Sequence, residues 1–183
     1  MSQSIEIKDN TTTSVGVLIG LSAWSITFVT LIWGYMFYRV RGLLWLEDYI
    51  DGPIYFKVAL NTGFLICSSF FLHLFLQQKE KKLFLLGLSA ALLFIIGQWN
   101  LWQALSMRGL TVNQTIAGSF FYLLTGFHAL HIIIGMGVLI GFYYLSGMAQ
   151  TKAITPNFKF VVRFWDLLLL FWLILVPLIF ILK

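Results

Sequence analysis

The sequence predicts an all-α protein: a polytopic transmembrane bundle of five membrane-spanning helices with a cytoplasmic N-terminus. Hydrophobic residues make up 60% of the 183 residues and charged residues only 10%, whereas about a quarter of the residues in a soluble protein are charged. Five apolar runs reach or approach the roughly 20 residues that a helix needs to cross a bilayer. None of them alternates with the two-residue period of a barrel strand, and backbone groups in lipid must be paired, so each run is predicted to be a helix.

The five predicted spans belong to one membrane domain over residues 1–183, and they cover residues 15–38, 58–76, 83–105, 115–145 and 160–182. The fourth span is 31 residues long, or about 46 Å as a helix, so it must tilt or protrude from the bilayer. Between the first two spans, acidic residues and Pro53 interrupt any continuous helix, and the segment LLWL is predicted to lie at the interface. The short basic connection QQKEKK predicts that the second and third helices form an antiparallel hairpin. The N-terminal residues lack the pattern of a cleaved signal peptide.

The distribution of positive charge indicates the orientation. With the N-terminus inside, seven basic residues lie on the cytoplasmic side and five outside: Lys8, Lys79, Lys81, Lys82, Lys152, Lys159 and Arg163 against Arg39, Arg41, Lys57, Arg108 and Lys183. This excess favours a cytoplasmic N-terminus. The basic residues behind the net charge of +5 are interpreted in the same way, as topology signals and as contacts with lipid headgroups. No nucleic-acid partner is expected.

A glycine pattern occurs twice, as GVLIG at residues 16–20 and again at residues 137–141. Each is a G-x-x-x-G motif, which allows two membrane helices to approach closely. Chance occurrence in a glycine-rich membrane protein explains the repeat equally well, so both interpretations stay open.

Two of the three histidines, His128 and His131, lie in the middle of the fourth predicted span. Side chains at positions i and i+3 project from the same side of a helix, so the two cannot ligate opposite faces of one haem. A single bis-histidine haem would need His73 opposite one of them, and a copper site would take all three histidines. We therefore predict that this chain contributes no redox centre and that His128 and His131 are neutral imidazoles hydrogen-bonded between helices.

Asp166 is a carboxylate within the fifth predicted span, where an ionisable group is costly and is usually paired or functional. Arg163 lies one turn earlier on the same face, which predicts an ion pair at the membrane edge that anchors the helix. The functional alternative for Asp166 is proton uptake or the capture of a lipid headgroup.

Amide side chains mark two further candidate contacts, Gln98 near the end of the third span and Asn61 near the start of the second. Amides at this depth usually bridge helices. The sequence contains no phosphate-binding glycine loop, no nucleophile paired with a base and no metal-ligand motif. No catalytic, cofactor-binding or metal residue is therefore predicted.

Several segments resemble successive parts of subunit III of the haem-copper terminal oxidases, in its short bacterial form that lacks the first two of seven helices. They are ITFVTLIWGYMFYRVRGLLW, LNTGFLICSS, FIIGQWNLWQALSMRGL, AGSFFYLLTGFHALHIIIG and FWDLLLLFW. TGFHALH is the most specific of them and contains the two histidines. Asp166 matches the acid of the last-helix motif W-H-F-V-D, while Arg163 stands at the position of its histidine. Ala23 occupies a position where many members have a glutamate, and Leu169 one where Trp is common.

The resemblance implies a non-catalytic subunit of a bacterial plasma-membrane oxidase that takes part in aerobic respiration. In the family, haem and copper lie in subunit I, and subunit III stabilises that subunit, holds phospholipids in a cleft and supports proton uptake. The implied partners are oxidase subunits I and II, phospholipids and, in some systems, a respiratory supercomplex. Two alternatives stay open: an accessory protein of a nitric oxide reductase, and an independent membrane carrier that uses His131 and Asp166 as a proton relay.

Overall fold

The computed structural model describes residues 2–41, 46, 49–113, 115–145 and 156–181. Within these residues the chain forms five α-helices: α1 (Ser2–Val40), α2 (Gly52–Gln78), α3 (Lys81–Ser106), α4 (Ile116–Leu145) and α5 (Pro156–Val176). A π-helical turn, Pro177–Ile181, follows α5 directly. The predicted all-helical class is therefore confirmed for the part of the chain that the structure describes.

Four helical segments are long and apolar enough to cross a membrane: Gly52–Gln78, Lys81–Ser106, Ile116–Tyr144 and Phe158–Phe180. They make the chain a multi-pass membrane protein. The predicted first span, residues 15–38, falls within α1. That α1 also crosses the membrane, and that the N-terminus is cytoplasmic, stay predictions.

The helix boundaries differ from the predicted spans at several ends. α2 begins at Gly52 instead of residue 58, because the Asp51 carboxylate accepts the Ile54 N–H at 3.2 Å and Pro53 lies in the first turn, where its missing N–H costs nothing. Pro53 therefore starts a helix where an interruption was expected. α1 begins at Ser2, well before residue 15, and α5 begins at Pro156 and ends at Val176. Of the predicted interfacial segment LLWL, residues 43–45 lie outside the described residues, as do residues 146–155 of the α4–α5 connection.

α2 and α3 form an antiparallel pair. Lys79 ends α2 in the left-handed conformation, with a φ of 59°, and donates its N–H to the Phe75 carbonyl at 2.8 Å. α3 then starts two residues later, at Lys81. Along the pair, the Ser68 hydroxyl donates to the Gly87 carbonyl at 2.8 Å. We call the end of the bundle that carries this turn the hairpin end.

The glycines that allow close packing are not those of the repeated motif. A Cβ added at Gly16, Gly20, Gly137 or Gly141 would meet nothing within 4 Å, so neither GVLIG segment makes a close helix contact within the described residues. A Cβ at Gly135, by contrast, would lie 3.2 Å from the Trp165 ring, between α4 and α5. Glycine is therefore needed at positions where a large side chain or an amide from another helix lies directly opposite.

The buried core has two parts along the bundle. The part near the hairpin end is built around aromatic side chains that include Phe75, Phe84, Tyr143, Trp165 and Trp172. The part near the other end includes Phe28, Leu101, Phe121 and Leu175. Trp24 of α1 packs against both, so the core is continuous from one end of the bundle to the other.

At the end opposite the hairpin, side chains of α1 and α2 bind the π-helical turn. The Arg39 guanidinium donates to the Leu178 carbonyl and, at 3.1 Å, to the Tyr35 hydroxyl. The Tyr55 hydroxyl donates to the Phe180 carbonyl at 3.0 Å. These bonds occupy carbonyls of a turn whose widened backbone does not follow the regular α-helical pattern.

Candidate functional site

A cluster of three polar side chains, two of them ionisable, joins α2 to α5 in the half of the bundle nearest the hairpin end. The His73 Nε2 lies 3.0 and 3.1 Å from the two carboxylate oxygens of Asp166. The Ser69 hydroxyl donates to the same carboxylate at 2.6 Å. Ser69 and His73 are one helical turn apart on α2, so both point towards the same position on α5. We call these three residues the carboxylate cluster.

The carboxylate cluster is accessible at the bundle surface. The side chains of His73 and Asp166 are 51% and 36% exposed, whereas Ser69 is buried. A carboxylate that accepts hydrogen bonds from one buried hydroxyl and one open imidazole can exchange a proton with its surroundings through the imidazole. The arrangement therefore places an ionisable pair at the bundle surface, with a buried hydroxyl bonded to its carboxylate.

The predicted ion pair between Arg163 and Asp166 is wrong. The two ion pairs of the described residues are His73–Asp166 and Arg108–Asp51. Arg163 is exposed, and its guanidinium lies 5.6 Å from the centre of the Phe160 ring on its own helix. The partner from α2 takes the place of the intrahelical one because it approaches both carboxylate oxygens directly.

His128 is fully buried among aromatic rings. Its imidazole stacks on Trp172 with centroids 5.1 Å apart and an interplanar angle of 27°. The rings of Phe28 and Phe94 meet it edge-on at 6.0 Å each. Neither ring nitrogen has a hydrogen-bond partner within the described part of the chain, so the predicted hydrogen bond between helices is wrong for this residue.

His131 makes its hydrogen bond within α4. Its Nδ1 donates to the Phe127 carbonyl, one turn earlier, at 2.7 Å. The ring also packs against Trp24 of α1, with centroids 5.2 Å apart. Both histidines therefore contact neighbouring helices through their rings, and among the described residues His131 too lacks the predicted hydrogen bond between helices.

The amide pair Asn61 and Gln98 lies between α2 and α3. Asn61 Nδ2 donates to Gln98 Oε1 at 3.1 Å, and both side chains are buried. Gly97 lies directly against the Asn61 side chain, where any Cβ would clash with its oxygen. One residue later on α2, the Thr62 hydroxyl accepts the Trp172 indole N–H at 3.0 Å. The two neighbouring residues thus attach α2 to α3 and to α5.

A second ion pair lies outside the membrane-crossing segments at the end opposite the hairpin. Arg108 Nη1 is 2.8 Å from Asp51 Oδ1 and donates to the Tyr49 carbonyl at 3.1 Å. The hydrogen bond from Arg108 is the main reason why the pKa of Asp51 lies below its usual value. The pair joins the α1–α2 connection to the α3–α4 connection.

His73 is the functional candidate that the sequence analysis missed. A carboxylate within a span needs a partner, and Ser69 and His73 are polar residues one turn apart in the half of α2 nearest the hairpin end, which is a usable signal. Among the described residues, no group of three or more His, Cys, Asp or Glu side chains is placed to hold a metal ion.

Comparison with known proteins gives a consistent result. Residues 53–182 match the family model described as cytochrome c oxidase subunit III. The cytochrome c oxidase subunit 3 of Synechocystis sp. is 27% identical over 176 residues, which cover 91% of this chain and 74% of the relative. The probable cytochrome c oxidase subunit 3 of Mycobacterium leprae is 30% identical over 151 residues, covering 78% and 72%. That of Mycobacterium tuberculosis is 26% identical over 179 residues, covering 93% and 88%.

Proposed function

The chain belongs to the cytochrome c oxidase subunit III family, and on that premise we propose that it stabilises subunit I, holds phospholipids and supports proton uptake. It is a subunit III of a haem-copper oxidase. In this proposal, haem and copper are bound by subunit I, and this chain has no active site of its own. The names of the relatives favour an oxidase over the nitric oxide reductase and the independent carrier that were considered as alternatives.

The packing of the two histidines of α4 supports the absence of a redox centre in this chain. The His128 ring is enclosed by Trp172, Phe28 and Phe94, and both of its ring nitrogens, the atoms that would bind iron or copper, are buried. Nδ1 of His131 is occupied by a backbone carbonyl of its own helix. Both residues act as aromatic packing groups in this proposal.

The carboxylate cluster is the observation that carries the proton-linked part of the proposal. Asp166 and His73 share hydrogen bonds and stay open to the surroundings, so a proton arriving at the imidazole can be passed on from the membrane edge. Arg163, which is exposed one turn away, contributes a positive charge suited to a lipid headgroup. Gln98 and Asn61 have a structural role, as the bond between α2 and α3.

The proposed setting is a bacterial plasma membrane, with five spans in one membrane domain and the N-terminus in the cytoplasm. The 39-residue length of α1 and the excess of basic residues on the predicted inner side support this topology. Subunits I and II and phospholipids are the proposed partners, and membership of a respiratory supercomplex is compatible with them. No nucleic-acid partner is proposed.

The proposal is tested by comparing oxidase preparations with and without this subunit, and with the substitution Asp166→Asn. We expect removal of the subunit to leave the haem content largely intact and to hasten the loss of activity during turnover. Asp166→Asn keeps an oxygen that can accept from Ser69 but cannot hold the carboxylate charge. It should lower turnover at alkaline pH, where protons are scarce, more than at neutral pH, while the subunit remains in the complex.

The matched control is Glu80→Gln, which neutralises an exposed carboxylate in the α2–α3 turn at the same end of the bundle. Its pH profile should follow that of the unmodified complex. An unchanged profile for Asp166→Asn would contradict the proton-linked role. Equal stability of the oxidase with and without the subunit during turnover would contradict the supporting role.

A further inference from the structure

A concave pocket of about 420 Å³ lies at the end of the bundle opposite the hairpin, between the last turns of α3 and the start of α4. Its lining includes Trp99, Trp102, Gln103, Ser106, Met107 and Tyr122. A volume of several hundred Å³ with aromatic walls and a few polar groups is typical of sites for small molecules. The residues proposed for proton uptake and for the contacts between helices do not line it.

Two of the aromatic walls are held in place by hydrogen bonds that use their polar atoms. The Trp102 indole N–H donates to the Thr125 hydroxyl at 3.0 Å, and the Tyr122 hydroxyl donates to the Leu110 carbonyl at 2.9 Å. Their ring centroids are 6.3 Å apart, and Trp99 meets Trp102 edge-on at 6.2 Å. Since the polar atoms of Trp102 and Tyr122 are already paired, these rings can contact an occupant through their π faces. Hydrogen bonds already fix both side chains, so ordering them on binding costs little free energy.

The charge around the pocket favours an occupant with no net charge. Among the described residues, no ionisable side chain other than Tyr122 lines it, and Arg108, the nearest charged residue along the chain, is already paired with Asp51 at 2.8 Å. The π face of Trp or Tyr attracts a cation such as an ammonium group. A zwitterion, which carries both a cationic and an anionic group, therefore suits this uncharged site better than an isolated cation does.

The position of the pocket points to a lipid. Trp and Tyr side chains collect where a span meets the headgroup region of the bilayer, and Trp99, whose side chain borders the pocket, is 59% exposed. Gln103 and Ser106 are also exposed, and both can donate hydrogen bonds to phosphate or ester oxygens.

We propose that this pocket binds the headgroup of a zwitterionic phospholipid, with its ammonium group against the rings of Trp99, Trp102 and Tyr122. Gln103 and Ser106 bind the phosphate or the glycerol esters. The inference rests on the proposed lipid-holding role and gives it a place and a headgroup class. It separates this neutral site from the basic hairpin end, where anionic lipids are favoured by charge.

The test uses the purified oxidase complex in nanodiscs that contain a photoreactive phosphatidylethanolamine or a photoreactive phosphatidylglycerol with the same labelled acyl chain. Cross-linked peptides are mapped by mass spectrometry. We expect labelling of residues 99–122 to be roughly two- to fivefold higher with phosphatidylethanolamine, the ratio that one exposed cation–π contact produces.

Trp99→Leu should bring that ratio close to one, and Trp99→Phe, which keeps a π face, should retain most of it. The matched control is Trp33→Leu, since Trp33 is a 75% exposed tryptophan of α1 that does not line the pocket; it should leave the ratio unchanged.

Equal labelling by the two lipids, or no labelling of residues 99–122, would overturn the proposal. So would displacement of both labelled lipids by a prenylated quinone at equal mole fraction, which would identify a different occupant. These outcomes are distinct from a failure of the proposed function, because the subunit's presence in the complex and its effect on turnover stability are measured on the same preparation without any labelled lipid.

Discussion

Replacing Gly97 by alanine places a methyl group against the side chain of Asn61 on the neighbouring helix. The added Cβ would lie 3.1 Å from Asn61 Cγ and closer still to its oxygen. Because Asn61 is buried, the amide can escape only by leaving its hydrogen bond with Gln98. The substitution therefore combines overpacking with the loss of a contact between α2 and α3.

The two costs can be estimated separately. Overpacking a close contact costs about 1–3 kcal/mol, and a hydrogen bond between membrane helices is worth about 0.6 kcal/mol on average, with a maximum of about 1.7. Alanine also recovers up to about 1 kcal/mol of helix propensity relative to glycine. The net loss expected for Gly97→Ala is therefore roughly 1–3 kcal/mol in the free energy of unfolding.

The double variant Gly97→Ala/Asn61→Ala separates these terms. Asn61→Ala alone loses the hydrogen bond and leaves Gln98 without its partner, at a cost of about 1–3 kcal/mol. In the double variant the methyl group added at position 97 no longer meets an amide, so the double variant should be little less stable than Asn61→Ala. The two substitutions are thus expected to be non-additive by about 1–3 kcal/mol.

The measurement is equilibrium unfolding of the full chain in mixed micelles by titration with sodium dodecyl sulfate, followed by circular dichroism. Gly63→Ala on α2 is the control, since a Cβ there would meet nothing within 4 Å; it should leave stability unchanged or slightly higher. Strictly additive effects of the two substitutions, or a Gly63→Ala variant as unstable as Gly97→Ala, would refute the reasoning from close packing.

Two further predictions concern the ion pair outside the membrane and the enclosed histidine. Because Arg108 lowers the pKa of Asp51, the pair stabilises the fold above the unfolded-state pKa of about 3.9, and this contribution disappears as the pH falls through the lower folded-state pKa. Asp51→Asn, which can still cap α2, should therefore unfold earlier than the unmodified chain at pH 6 but not at the acidic limit; an equal difference at both would count against the pair. His128→Phe should change the free energy of unfolding by less than about 1.5 kcal/mol, since an aromatic ring replaces an imidazole with no hydrogen bond, whereas His128→Ala should cost about 3–5 kcal/mol. If both variants are equally unstable in the same titration, the imidazole nitrogens have partners that aromatic packing does not explain.

Composition and run length were sufficient to predict the helical class and the positions of the four membrane-crossing segments. Helix ends were harder to predict, because they depend on local bonds: the Asp51 side chain and Pro53 begin α2 where the hydropathy pattern shows only a break. The hydrophobic signal measures which residues avoid water, and a capping residue at the membrane edge does not contribute to it.

The polar contacts were predicted less well than the spans. The spacing of Asp166 and Arg163, one turn apart on the same helix, predicts that they pair, yet His73 from α2 reaches the carboxylate. A helical wheel shows which residues share a face, but not which neighbouring helix lies against that face. The sequence identifies Asn61 and Gln98 as polar residues at helix contacts, and only the packing of α2 on α3 shows that they bind each other.

The bonds that Arg39 and Tyr55 make with the π-helical turn have a consequence for the order of assembly. Both donors belong to α1 and α2, which are synthesised first, and both acceptors, Leu178 and Phe180, are synthesised more than a hundred residues later. Until the last described helix is in place, the Tyr55 hydroxyl and the Arg39 N–H groups that do not bond to Tyr35 depend on water or lipid headgroups for partners. Insertion of α5 brings the π-helical turn and its carbonyls to the bundle, so the last described segment supplies hydrogen-bond acceptors to the first two helices.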